Sequence, residues 1–238
     1  MNPAFLLQAP LRDGGLFYTE TDPSRLIVEP WNGASALIFI GIALYWLRQI
    51  QGRMREHLFL AIALPILAIG GVGGTLYHAF RVSRVFLFMD FVPILLLCLM
   101  AGFYFFSRST GRWWLALLIM VGLFFLQGLM WSSVRSNTTG LPVQAAITLN
   151  YAMMGLMVLA PLGWWLAKTR FRHVRWIAAA LLSFGLALFS RLADPWALLP
   201  MGTHFLWHVF GAAACHCMLA YVYWQNESPA PSLQAANA

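Results

Sequence analysis

The sequence predicts an all-α integral membrane protein, a seven-transmembrane helix bundle, and three observations carry that expectation. The chain is 61% hydrophobic and only 10% charged, against about 25% charged residues in soluble domains. Seven apolar runs, each near the ~20 residues needed to cross a bilayer, are separated by breaks rich in Arg, Gly, Pro, Ser or Asn. The basic residues sit in those short breaks, so the net charge of +7 reads as membrane topology and not as a nucleic-acid surface.

The runs cover roughly 33–50, 57–80, 84–106, 113–133, 142–167, 174–192 and 196–224. Ahead of them, residues 1–32 form a polar lead that holds Asp13, Glu20, Asp22 and Glu29, half of all the acidic residues. Residues 33–225 are the seven-span domain, and 226–238, rich in Pro, Ser, Ala and Asn, are expected to be a disordered tail. The first fifteen residues lack the basic region and long apolar stretch of a cleavable signal peptide, so the first span is expected to direct insertion. Cys98, Cys215 and Cys217 all lie in apolar runs and read as packing residues.

Charge sets the expected orientation. Seven spans place Arg12, Arg25, Arg81, Arg84, Arg135 and Arg191 on the N-terminal side. Arg48, Arg53, Arg55, Arg108, Arg112, Lys168, Arg170, Arg172 and Arg175 fall on the other. The positive-inside rule then puts the C-terminus in the cytoplasm and the N-terminus outside. The preference for arginine over lysine points to a GC-rich bacterial genome and hence to a bacterial inner membrane.

The chemistry is concentrated at one depth. His204-Phe-Leu-Trp-His208 places two imidazoles one turn apart on one helix face, a spacing that lets both reach a single metal ion. His78 closes the second run and Asp90 lies about two turns into the third, and both belong to the same outer side. Ionisable residues within a bilayer are costly and mark function by default, so their convergence from separate segments suggests a metal centre with a carboxylate beside it. Gly70, Gly74 and His78 share one stripe, whose small residues would let a neighbouring helix approach closely. His216 lies about 12 Å deeper than His208 and reads as structural. His57 and His173 are read as loop residues, Gln127 and Asn150 as an interhelical hydrogen-bonding set, and Asp194 with Arg191 as a helix-end ion pair. The acids of the lead could bind a hard cation such as calcium, or form a solvated surface.

Together, Tyr18-Thr-Glu20, Glu29-Pro-Trp-Asn32, Gly74-Thr-Leu-Tyr-His78, Asp90-Phe-Val-Pro93 and His204-Phe-Leu-Trp-His208 resemble the alkaline ceramidase family. That family belongs to the CREST superfamily of seven-transmembrane metal hydrolases. The resemblance implies that His78, His204 and His208 bind Zn2+ and that Asp90 is the catalytic carboxylate that contacts the metal's water. It also implies a calcium (Ca2+) segment made of Glu20, Asp22 and Glu29 with the backbone of Tyr18. Two departures stand out. The family's serine four residues before the first histidine is Gly74 here, which leaves Thr75 or Tyr77 as oxyanion donors; restoring serine is expected to raise the rate. An aspartate expected before Tyr18 is Phe17, with Asp13 as a substitute.

The expected function is therefore a zinc-dependent amidohydrolase that cleaves the amide bond of ceramide-like lipids to a sphingoid base and a fatty acid. Its partner is a lipid substrate within the bilayer, with no nucleic acid and no obligate protein partner evident. The alternative is a seven-transmembrane receptor or sensor that holds the same metal without ceramide turnover. A haem carrier is disfavoured, because His78, His204 and His208 do not supply histidine pairs at opposite faces.

Overall fold

The computed structural model describes residues 11–135 and 143–227. Within these it is all-helical, and seven helices are long and apolar enough to span a membrane. They are α1 (Pro30–Ile50), α2 (Leu58–Phe80), α3 (Arg84–Thr110), α4 (Trp113–Arg135), α5 (Val143–Lys168), α6 (Val174–Ala193) and α7 (His204–Glu227). Large apolar side chains such as Phe125 and Leu182 are 70% and 68% exposed, which suits surfaces bathed in hydrocarbon rather than water.

The chain divides into two compact units, residues 1–94 with 173–238 and residues 95–172. In the first unit α1 packs on α2, α6 on α7, and α1 on α7. The glycines of α2 explain how it fits between neighbours. A Cβ at Gly71 would press on Ile40 and Phe39 of α1, while one at Gly70 would meet Pro93 of α3, 3.1 Å away. Added carbon at Gly73 would collide with the backbone of Met89. The small-residue stripe therefore admits α3 on one side and α1 on the other. In the second unit the Gln127 amide donates to Asn150 Oδ1 at 2.6 Å, the α4–α5 hydrogen bond expected from sequence. Pro161 lacks the N–H that Met157 would otherwise bond, and Gly102 lies close to that freed carbonyl.

Two boundaries differ from expectation. The seventh helix begins at His204 and not at 196. Asp194-Pro-Trp196 makes one 3-10 turn after α6; the chain then passes Pro200 and Gly202, at φ +71°, before α7 starts. His204 and His208 thus occupy the first two turns of α7 and lie nearer the bilayer edge than a start at 196 implied. At the other end, Asn226 and Glu227 belong to α7 rather than to the tail. Glu227 is held there by Arg53 and lies 3.1 Å from His57 Nε2. His57 is fully buried, stacked on Tyr223 at 4.7 Å. The rest of the expected tail, 228–238, lies outside the described residues.

Candidate metal centre

The C-terminal turn of α2 carries His78, and the N-terminal turns of α7 carry His204 and His208. The three imidazole centroids lie 4.9–5.3 Å apart, and all three residues are buried. One nitrogen from each comes within 4.8 Å of the others, the one His/Cys/Asp/Glu grouping among the described residues that could hold an ion.

Each imidazole is positioned from behind. His78 Nδ1 lies 2.5 Å from Glu29 Oε2. Glu29 is held in turn by the Thr21 hydroxyl at 2.6 Å, by the Asn32 amide at 3.2 Å and by Arg81. His208 Nδ1 lies 2.8 Å from Ser35 Oγ and 3.0 Å from the Asn32 carbonyl. Since a carbonyl only accepts, and the Ser35 hydroxyl donates to that same carbonyl, the proton belongs on His208 Nδ1 and the lone pair on Nε2. A carboxylate facing His78 Nδ1 fixes the same tautomer there. His204 is set by its backbone: Asp194 Oδ1 accepts the N–H groups of Thr203 and His204 at 2.8 and 2.9 Å, which caps α7. Asp194 Oδ2 accepts the N–H of Thr19 at 2.9 Å, tying the lead to the same point. A Cβ at Gly202 would strike this carboxylate, so glycine is required there twice over, by space and by φ. Asp194 is therefore the N-terminal anchor of α7, not simply the partner of Arg191 that the sequence suggested.

The donor set fits a transition metal. His78 Nε2 and His204 Nδ1 are buried without a hydrogen-bond partner. Buried ring nitrogens without partners are costly, and an ion shared by neutral imidazoles would remove that cost.

Asp90 comes to the same place. Its Oδ1 lies against Gly74, where an added Cβ would be only 2.6 Å away. Gly74 is one turn, about 6 Å, from His78 on the same helix face. The chain has eight acidic residues, and all are described. Seven have a hydrogen-bonding or ion-pair donor. Asp90 is the one with none among the described residues.

The other expected site residues part company. The Thr75 hydroxyl donates back to the Gly71 carbonyl at 2.8 Å, so its proton is spent inside α2. Tyr77 is buried under the Arg81 guanidinium, 4.5 Å from its ring, with its hydroxyl against Gly15. Neither is aimed at the histidines as an oxyanion donor. Tyr18, expected to offer only its backbone carbonyl, stacks its ring on His204 with centroids 3.8 Å apart, and that carbonyl accepts the Thr21 N–H. Burial pushes the Tyr18 phenol well above its ordinary range, so it keeps its proton. Its hydroxyl has no hydrogen-bond partner among the described residues.

The expected calcium set is not gathered on one point. Glu20 accepts the N–H groups of Trp31 and Asn32 at 2.6 and 3.0 Å and so caps α1; burial raises its carboxyl. Asp22 is taken up by Ser24 and Arg25. Burial alone would raise the Glu29 carboxyl, but the hydrogen bond from His78 and the charge of Arg81 outweigh it and hold it low. His216 also stays apart from the site, accepting the Trp46 indole N–H at 3.3 Å. Sequence reasoning missed Ser35, quoted Asn32 only as part of a motif and read Asp194 only as an ion-pair partner, so their roles behind the histidines were not foreseen. The signals available were a polar pair three residues apart at the start of the first run and an Asp-Pro ahead of the histidine helix.

No protein-family model matches the chain, and no curated protein matches it.

Proposed function

We propose that this protein is a membrane amidohydrolase that cleaves the amide bond of ceramide-like lipids, giving a sphingoid base and a fatty acid. The observation that carries the proposal is an acidic side chain without a hydrogen-bond donor, Asp90, beside three buried histidines with oriented or unpaired ring nitrogens. The sequence resemblance to alkaline ceramidases supplies the substrate class.

In this reading His78, His204 and His208 hold zinc. When bound, zinc would lower the pKa of a water toward 7 and polarise the substrate carbonyl. Asp90 takes the proton of the attacking water as oxygen adds to the amide carbon. As the C–N bond breaks, Asp90 returns that proton to the departing amine nitrogen. The Tyr18 phenol, protonated and unpartnered, donates a hydrogen bond to the carbonyl oxygen as negative charge builds there. Ser35, Asn32 and Glu29 keep the imidazole lone pairs directed inward. The charge bias of the loops supports an orientation with this site on the outer side, and the preference for arginine over lysine supports a bacterial inner membrane.

Metal analysis and labelled-ceramide hydrolysis by the purified protein test the proposal. One zinc per chain is expected, with sharp loss in His78→Ala, His204→Ala or His208→Ala. Asp90→Asn should keep its zinc and lose roughly 10²–10⁴-fold in rate. Full zinc occupancy in the histidine variants would refute the ligand assignment. A zinc-loaded parent that cleaves no lipid amide would leave the sensor as the better reading.

A further inference from the structure

The lead segment raises a question that the metal centre does not answer: what neutralises its acids. A calcium ion needs about six to eight oxygen ligands with lone pairs free to face it. In this protein every carboxylate oxygen of Asp13, Glu20, Asp22 and Glu29 already faces a donor. Asp13 Oδ1 accepts the Gly15 N–H at 2.8 Å and Arg81 Nη2 at 3.3 Å; its Oδ2 accepts Arg81 Nε at 2.7 Å. Glu20 spends both oxygens on the first N–H groups of α1. Asp22 spends one on Ser24 and the other on Arg25. Glu29 spends one on Thr21 and Arg81 and the other on Asn32 and His78.

One residue recurs. Arg81 stands just past the end of α2 with φ +53°, and its side chain is almost wholly buried. Its guanidinium bridges Asp13 and Glu29 and donates to the Leu16 carbonyl at 2.9 Å. It also lies over the Tyr77 ring at 4.5 Å and the Tyr18 ring at 5.8 Å. Burial alone would lower its affinity for the proton, but Asp13 and Glu29 outweigh that and hold it above its ordinary value. A planar fork that grips two carboxylates and a carbonyl at once is a use to which arginine is suited and lysine is not.

We infer that Arg81 is the built-in cation of the lead segment, standing where the sequence resemblance expects calcium, and that this protein folds and works without calcium. A calcium ion entering this cluster would have to displace the guanidinium from Asp13 and Glu29. It would then sit beside a positive charge with nowhere to go, in a buried setting where like charges repel strongly. Arg81 also has a second task. It holds the Glu29 oxygen opposite the one that faces His78, so it steadies that imidazole through Glu29. This second task rests on the metal-site reading, whereas the independence from calcium does not.

The test uses the full chain in detergent, with zinc held constant. Thermal unfolding is followed with a calcium-selective chelator and again with excess calcium, alongside equilibrium binding of radioactive calcium. The expected result is one melting temperature under both conditions and no saturable binding. A calcium-dependent melting temperature, or one calcium bound per chain, overturns the inference. In Arg81→Gln the two carboxylates lose their cation, and a clearly lower melting temperature is expected. Should that variant not fold, Arg81→Lys keeps the charge without the fork and should show a smaller fall. A folded Arg81→Gln that melts with the parent removes Arg81 from this role. None of these readouts involves hydrolysis, so failure of the ceramidase proposal would leave them intact.

Discussion

Gly74→Ala isolates the placement of Asp90 from every other feature of the site. The added Cβ would lie 2.6 Å from Asp90 Oδ1 and 3.3 Å from Ala36 Cβ. Comfortable separations between such atoms begin near 3.5 Å, so the carboxylate must retreat by about 1 Å. No hydrogen bond among the described residues anchors it, so it can move without breaking the fold. Overpacking costs about 1–3 kcal/mol, and replacing glycine by alanine in a helix returns roughly 1 kcal/mol. The variant should therefore fold and retain zinc, since none of its ligands is touched. A displacement of about 1 Å in a proton-carrying group can cost ~10²-fold in rate. Single-turnover hydrolysis of labelled ceramide, with zinc content and melting temperature on the same preparation, measures all three quantities. Gly163→Ala, where an added Cβ meets nothing within 4 Å, is the control and should hydrolyse like the parent. A zinc-loaded Gly74→Ala with parental turnover would refute the role given to Asp90. The same crowding revises the expectation for serine at this position. Its Cβ meets the same oxygen, so Gly74→Ser should lower the rate rather than raise it.

Three further outcomes are expected. Asp194→Ala leaves the first N–H groups of α7 and that of Thr19 without their acceptor; loss of a helix cap costs about 1–2 kcal/mol, and a lower melting temperature with weakened zinc retention should be measurable. Tyr18→Phe keeps the stacking on His204 but removes the phenol, so zinc should remain while hydrolysis falls by roughly 10²-fold; an unchanged rate would exclude Tyr18 as the donor. A reporter fused after Ala238 should read cytoplasmic, and a signal from the outer compartment would reverse the orientation drawn from the charge bias.

The seven helices were legible because hydrocarbon imposes a length and a composition on anything that crosses it. The convergence of His78, Asp90 and the histidine pair was legible for a related reason. Alternating direction across the bilayer converts position in a span into depth. The start of α7 was not legible, because Leu198, Leu199 and Met201 keep the run apolar while Pro195, Pro200 and Gly202 break the helix beneath it. The groups behind the ligands were hidden by sequence distance. Ser35 and His208 are 173 residues apart, and Glu29 and His78 are 49 apart; no local pattern announces such pairs. The lead was the least legible part of the chain. Clustered acids suggest a cation from solution, and no local pattern announces that Arg81, beyond the second span, donates to Asp13 and Glu29.

The distribution of acids separates a hydrolase from a sensor more sharply than the histidines do. A metal used only to brace helices needs ligands and the groups that orient them, and this chain provides those in Glu29, Asn32 and Ser35. Asp194 completes the support by fixing where α7 begins. All of this would be present in either kind of protein. Asp90 serves none of it. It caps no helix, orients no imidazole and faces no cation at bonding distance among the described residues, although an unpaired carboxylate within a span is among the costliest groups to keep there. The chain also leaves a glycine in front of it, so that no side chain on α2 fills the space. A brace would be more stable with that carboxylate replaced by leucine. A hydrolase would not turn over. Asp90→Leu should therefore raise the melting temperature while abolishing hydrolysis, a pairing of gain and loss that a sensor gives no reason to expect.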